Sequence, residues 1–387
     1  MPAAALTVLV NAGPWLPVPP LDYGGIENVV ATLVPELRAR GHRVVLATVG
    51  DSTIEADEVL SVFPRGQFGD ITGPYNAMMG IAHAHMAGVL DRLAEGDVDL
   101  VHDHLEVVGP AVYAAGGDAV PPVLQTLHWD LAKHPDFYSR FDGRGRVFFA
   151  GVSGSQLARA HPTLRRQALG AIPLATPMPA EPPAPAAGHL LGLGRLTPVK
   201  GYDLAARMAR RLDLQLVLAG PVAGCAGPDE LAAAAPSLPD VRYFRTEVEP
   251  HLGGPVRWAG SVGGAAKAEL LRTARAVVFP LRWDEPGGTA VVEALAAGVP
   301  VVGMRRGALT ELVDHGVTGW LADDEHEFAG YLQRVDELDR QACRAVAERR
   351  FSPAAMAARY ETFYRHVLGL AGRRAARHPS LPATAAG

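Results

Sequence analysis

Short apolar runs alternate with longer amphipathic segments along the chain. Leu6–Val10, Val44–Val49, Leu100–Val101, Val123–Leu127 and Phe148–Val152 read as buried parallel strands. Between them, apolar positions recur at helical spacing over Ile26–Arg40, stopped by Gly41, and over Ile81–Leu93. This alternation predicts an α/β domain with right-handed crossovers. The pattern breaks at Ile172–Ala187, where six prolines in sixteen residues exclude a helix or a central strand and mark a linker. It restarts with His189–Leu193, Leu214–Leu218, Val256–Trp258, Ala276–Phe279 and Val299–Val302. The expected organisation is a first domain over 1–171, a linker over 172–187 and a second α/β domain over 188–350. A helix over 351–371, packing back on the first domain, and a disordered tail over 372–387 complete it.

A length of 387 residues suits two such domains. The net charge of −5 leaves no electrostatic footprint for nucleic acid. Two cysteines, Cys225 and Cys343, exclude a disulfide framework and a four-cysteine zinc site. No apolar run reaches the roughly 18 residues of a membrane span, and the N-terminus lacks the positive region of a signal peptide. The expectation is a cytoplasmic protein. Of 36 basic residues only Lys133, Lys200 and Lys267 are lysine, so a lysine retained here is a candidate for specific chemistry.

Ligands of open α/β sheets bind outside the carboxyl ends of the strands. In the second domain, Leu191-Gly-Leu-Gly-Arg-Leu-Thr-Pro-Val-Lys-Gly201 sets Arg195 and Lys200 between a strand end and a helix start, where anions are favoured. Taken alone, a turn with two solvated cations is an equal reading. Neither a Walker loop nor a complete dinucleotide fingerprint is present. Further on, a loop carrying Glu285, Gly287 and Gly288 leads into a helix expected near Thr289. Glu293 is the only charge within Ala290–Ala297. It lies four residues from Thr289 rather than the three of a capping box, so sugar or ribose hydroxyls are its expected partners.

In the first domain polar residues gather after strands: Asn11–Gly13, then Tyr23-Gly-Gly-Ile-Glu27, His102-Asp-His104, His128 and Ser153. His83 and His85 diverge on a helix and read as surface residues. Asp97-Val-Asp99 precedes its strand, which argues against a metal site facing the ligand edge.

Together these motifs resemble the retaining glycosyltransferases of family 4, which have the GT-B fold of two Rossmann-like, doubly wound parallel-sheet domains. The resemblance runs from Gly24-Gly-Ile-Glu27 and Arg40-Gly-His42 through His102-Asp-His104, Thr126-Leu-His128 and Val152-Ser153. It continues through Gly194-Arg-Leu-x3-Lys-Gly201, Glu285-x7-Glu293, Gly298-x-Pro-Val-Val302 and Glu311-x4-Gly316-x2-Gly319. It implies a nucleoside-diphosphate sugar as donor substrate, a small-molecule acceptor, and no metal or other cofactor. Arg195 and Lys200 would hold the diphosphate, Glu293 the ribose and Glu285 the donor sugar. Gly287, Gly288 and Thr289 would give backbone donors, and the main chain near Ser261 and Val262 would hold the base. Gly24 and Gly25 would close on the donor, and His128 would stand beside the reacting centre. Glu27, His102, Asp103 and His104 would lie toward the acceptor.

One departure stands out: Gly287 occupies a position where the family usually has Phe, which reshapes the donor-sugar end. Similar sequences include enzymes that decorate natural products in GC-rich bacteria, so antibiotic biosynthesis is an expected setting. A sugar-nucleotide isomerase or hydrolase on the same fold, or a non-catalytic sugar-nucleotide-binding protein, is the alternative.

Overall fold

In the computed structural model, which describes residues 4–21, 24–71, 73–183, 185 and 188–377, every strand pairing is parallel. The chain divides into two units, Met1–Ile172 with Pro353–Gly387, and Pro173–Ser352.

The first unit holds β1 (Thr7–Asn11), β2 (Arg43–Thr48), β3 (Glu58–Ser61), β4 (Leu100–Asp103), β5 (Val123–Leu127), β6 (Val147–Gly151) and β7 (Ala168–Ala171). Their order is β3-β2-β1-β4-β5-β6-β7, so the winding reverses between β1 and β4. Leu9, Val45, Val101, Val123 and Phe149 build a core on one sheet face.

The second unit holds β8 (Leu190–Leu193), β9 (Leu216–Ala219), β10 (Val256–Trp258), β11 (Ala276–Phe279), β12 (Val301–Met304) and β13 (Gly319–Ala322), ordered β10-β9-β8-β11-β12-β13. Its winding reverses between β8 and β11. Neighbours along a strand part to opposite faces, as the pleat requires: Leu190, Leu216 and Val278 join one core, Leu191, Val217 and Val277 the other.

Residues 173–183 form no regular element and run along the helix Arg340–Phe351. Arg344 donates to the carbonyls of Pro179 and Glu181 from that helix, and Thr176 N donates to Phe351 O. The last helix runs over Pro353–Arg377, so Gly372–Arg377, expected in a disordered tail, are helical. Alanine and arginine are good helix formers, and nothing breaks the run before the residue preceding Pro379. Residues 378–387 lie outside the described residues. This helix is held within the first unit by the Arg40-Gly-His42 segment, where Arg40 and His42 Nε2 reach the Glu361 carboxylate at 3.1 and 2.9 Å.

Candidate functional site

Arg195, Lys200, Glu285, Gly287, Gly288, Thr289 and Glu293 follow the two strands flanking the switch point of the second unit. The chain leaves β8 at Gly194 and Arg195, and Gly194 N donates to Ala219 O at the end of β9. The next loop presses on the one after β11: Arg282 N donates to Val199 O, and a Cβ on Gly201 would stand 2.0 Å from Pro280 O. Gly201 also has φ +70°, so glycine is required there on both counts. The helix Tyr202–Leu212 begins immediately, and after the second loop Gly288 caps the helix Thr289–Ala296. Arg195, Lys200 and the free N–H groups of that helix N-terminus are thus gathered at one sheet edge.

Two ion pairs occupy this edge. Lys200 Nζ donates to Glu285 Oε2 at 2.5 Å, with both side chains 17% exposed. The same ammonium stands 5.7 Å from the centre of the Trp283 ring. Lys267 Nζ, from the helix Gly264–Thr273, donates to Glu293 Oε1 at 2.7 Å. Arg195 is exposed and makes no ion pair among the described residues. Glu293 is therefore not a buried carboxylate awaiting a ligand, as the sequence implies: it is half-buried and has a protein partner. Sequence reasoning did not place Lys267 at this site; its one signal was rarity, and all three lysines prove to pair with glutamates, Lys133 with Glu106. Ser261 is exposed and Val262 half-buried after β10; Ser261 N is spent on Ala226 O. Thr289 stands at the first position of its helix, after buried Gly287 and Gly288.

In the first unit the residues expected after strands lie deeper. His102 and Asp103 belong to β4 itself, because β1 and β5 bond it on both sides through these positions, with Val10 opposite His102 and Asn11 opposite Asp103. His102, Asp103 and His104 are at most 1% exposed. They are interior residues. His102 bonds Thr126 Oγ1 and Tyr364 OH at 2.8 Å each, and Thr126 bonds Tyr360 OH. Asn11 Nδ2 donates to Asp103 Oδ1 at 2.7 Å, while its Oδ1 accepts from His85 Nε2 at 2.7 Å. His85 is thus buried, contrary to its surface assignment, whereas His83 is exposed. Residues two apart on a helix face different ways, so one can enter the core while the other stays outside.

Desolvation dominates the electrostatics here. Burial pushes His85 down to about 4 and His102 down to about 3, holds His104 well below the usual range, and raises Asp103 well above its own. His128 keeps a partly exposed edge yet is enclosed enough to be pushed down to about 3. The imidazoles are neutral at pH 7. Ser153 caps the helix Gly154–Ala158 by accepting from Gln156 N, a structural task.

The helix Gly25–Ala39 opens with Gly24 and Gly25. A Cβ on Gly24 would strike Pro20 at 2.6 Å, whereas one on Gly25 would meet no described atom within 4 Å. Glu27, 5% exposed in the first turn, is pushed up to about 7 by burial. Tyr23 lies outside the described residues. Asp97 pairs with Arg92 and Arg43, and Asp99 Oδ2 accepts from Thr7 N, at the opposite edge of the sheet. No group of three His, Cys, Asp or Glu side chains is placed for a metal, and no helix is long and apolar enough to cross a membrane, among the described residues.

Two parallel-sheet units, each wound both ways from a switch point, have the GT-B fold. Residues 187–350 match the family profile described as Glycosyl transferases group 1, and residues 23–161 match Glycosyltransferase Family 4. The chain belongs to this family 4 of GT-B glycosyltransferases. It is 28% identical over 351 residues to a phosphatidyl-myo-inositol mannosyltransferase of Mycolicibacterium smegmatis, covering 84% of each chain. It is 29% identical to a D-inositol 3-phosphate glycosyltransferase of Acidothermus cellulolyticus, over 72% of this chain and 58% of that one. Among solved structures, AviGT4, a glycosyltransferase involved in avilamycin A biosynthesis, is 26% identical with a TM-score of 0.65, over 94% of this chain and 98% of that one. The Anabaena protein Alr3699/HepE, solved with UDP and glucose, shares the fold at 18% identity and a TM-score of 0.65, over 93% of this chain and 99% of its own.

Proposed function

We propose that this protein moves a sugar from a nucleoside diphosphate to a small-molecule acceptor, with retention at the anomeric carbon and without a metal. The observation that carries the reading is the strand edge of the second unit, where Arg195 follows β8, Lys200 pairs with Glu285 and the N-terminus of Thr289–Ala296 follows β11. In the transfer the bond from the anomeric carbon to the phosphate oxygen breaks, its electrons leave with the diphosphate, and the bond to the acceptor oxygen forms. The acceptor's proton passes to the departing phosphate. Negative charge grows on the diphosphate, and fixed cations and helix N–H groups stabilise it in the transition state. Lys200 exchanges Glu285 for phosphate, which releases Glu285 toward the sugar. Glu293 takes the ribose hydroxyls, the main chain at Ser261 and Val262 the base, and Gly287, Gly288 and Thr289 add backbone donors. Gly24, Gly25 and His128 serve the reacting end, and Glu27 the acceptor.

AviGT4's role in avilamycin A biosynthesis supports an acceptor from natural-product chemistry, and the two inositol-modifying relatives support a polyhydroxylated one. A panel of nucleotide sugars, each with candidate acceptors and read by mass spectrometry, tests the reading. The expected result is an acceptor carrying one added sugar, its anomeric configuration equal to the donor's by NMR. Donor consumed at the same rate without acceptor, yielding free sugar or an isomer, would replace transfer with hydrolysis or isomerisation.

A further inference from the structure

His104 and His128 meet edge to edge across neighbouring strand ends. His104 Nδ1 stands 2.8 Å from His128 Nε2, and the two rings lie 25° from coplanar with centroids 5.1 Å apart. One of these nitrogens carries the proton between them, and the far side of each ring decides which.

His104 Nε2 is buried and makes no hydrogen bond among the described residues. The neighbouring ring, His102 at 4.3 Å between centroids, offers it no acceptor, because both His102 nitrogens are engaged by Thr126 and Tyr364. A proton on His104 Nε2 would be an orphaned buried donor, which is rarer in folded proteins than an under-used acceptor. The other arrangement leaves only a bare lone pair there. His128 Nδ1 likewise bonds none of the described residues, but its ring keeps an exposed edge, so a donor on that nitrogen can be satisfied from outside.

We infer that His104 donates from Nδ1 to His128 Nε2 and thereby holds His128 in the tautomer with its proton on Nδ1. His104 is then a positioning residue: it is too buried to touch a ligand and acts through its neighbour. His128 is a neutral hydrogen-bond donor aimed by that contact, with no free lone pair for taking up a proton. Resting on the proposed function, this fixes what His128 offers: an N–H for an oxygen of the donor sugar, with the acceptor's proton left to the phosphate.

Ring 15N spectra of the full chain labelled with 15N-histidine, assigned against His128→Gln, test the inference. In the wild type His128 should show a protonated Nδ1 and a bare Nε2 at pH 7. His104→Asn, whose amide nitrogen can stand near the lost Nδ1, should keep that pattern and most of the turnover. His104→Leu should move the proton to Nε2 and lower kcat roughly tenfold, the scale of one lost hydrogen bond, with the donor KM unchanged. A wild-type His128 protonated on Nε2 would overturn the inference, and so would a His104→Leu protein in which the tautomer does not change. If His104→Leu does not fold, the wild-type and His104→Asn spectra still decide. Near-normal turnover in His128→Ala beside the expected spectra would instead defeat the catalytic reading and leave the tautomer standing.

Discussion

Lys200 Nζ and Glu285 Oε2 are 2.5 Å apart, so two residues assigned to different parts of the donor are partners in the free protein. In the proposed function, diphosphate binding draws Lys200 from Glu285 to phosphate, exchanging one anion for another. Lys200→Ala removes the phosphate's cation and also leaves Glu285 unpaired beside the incoming negative charge. We expect it to weaken nucleoside diphosphate binding by about 1.5–3 kcal/mol, the scale of a lost charged hydrogen bond. Glu293→Ala should show a loss of similar size. Lys200→Arg should also bind poorly, because a planar fork does not replace a compact ammonium. Titration calorimetry on the three variants measures this, and unchanged affinity in both alanine variants would remove the clamp.

Gly25→Ala separates folding from function by sign. A Cβ there meets nothing described within 4 Å, and the position is the first of a helix, where alanine is the better residue by up to about 1 kcal/mol. The variant should melt no lower than the wild type. If the donor approaches this backbone closely, the added methyl should still cut turnover. Unimpaired kcat/KM would show that no ligand comes near Gly25.

Much of the fold was legible because a parallel strand buried on both faces is an apolar run, and β5, β10 and β11 lie where such runs predict them. The strands not anticipated, β3, β7 and β13, are sheet-edge strands. Glu58–Ser61 and Ala168–Ala171 are only part-buried, and Gly319–Ala322 opens on glycine, so their sequences are not continuous apolar runs. Polar residues inside a strand mislead in the opposite direction: His102 and Asp103 end the apolar run but not the hydrogen-bonded ladder. The ion pairs were beyond reach for another reason. Lys200 and Glu285 are 85 residues apart and Lys267 and Glu293 are 26 apart, and no local pattern connects such positions.

Acid should destabilise the first unit, and Glu27 should oppose that trend. His85, His102 and His128 titrate near 6.5 when unfolded but at about 4, 3 and 3 when folded. Below pH 6.5 the unfolded chain therefore binds more protons, and stability falls as pH falls toward 3. Glu27 goes from 4.5 unfolded to about 7 folded, so in that window the folded state binds the extra proton and stability falls as pH rises. Three histidines outweigh one carboxylate, and the melting temperature should drop between pH 7.5 and 5. Glu27→Gln should melt higher than the wild type at pH 7.5 and lose more on acidification. A shallower loss would contradict the Glu27 assignment.

Chelation should leave activity intact. Asp97 and Asp99 are committed to Arg92, Arg43 and the Thr7 amide at the far edge of their sheet, while cationic side chains stand at the proposed phosphate site. Initial rates with and without EDTA measure this. Loss of turnover that magnesium or manganese restores would reopen the case for a metal.

His128→Ala should abolish turnover and leave nucleoside diphosphate affinity nearly unchanged. His128 follows β5 in the first unit, whereas Arg195, Lys200 and Glu293 belong to the second, so its removal takes nothing from the proposed nucleotide contacts. With a pKa of about 3 it is neutral at working pH, and its Nε2 is held by His104. Its expected contribution is an N–H bond to an oxygen of the donor sugar that is made best in the reacting geometry, so its loss lowers kcat rather than nucleoside diphosphate binding. The competing account is a histidine that only pins its own loop. That account predicts a lower melting temperature with most of the turnover kept. Melting temperature, diphosphate affinity and rate on the same variant separate the two: the melting point falls on either account, because His104 Nδ1 loses its partner, but only a catalytic hydrogen bond takes the turnover with it. Near-normal turnover, with or without a drop in melting temperature, would end the catalytic assignment.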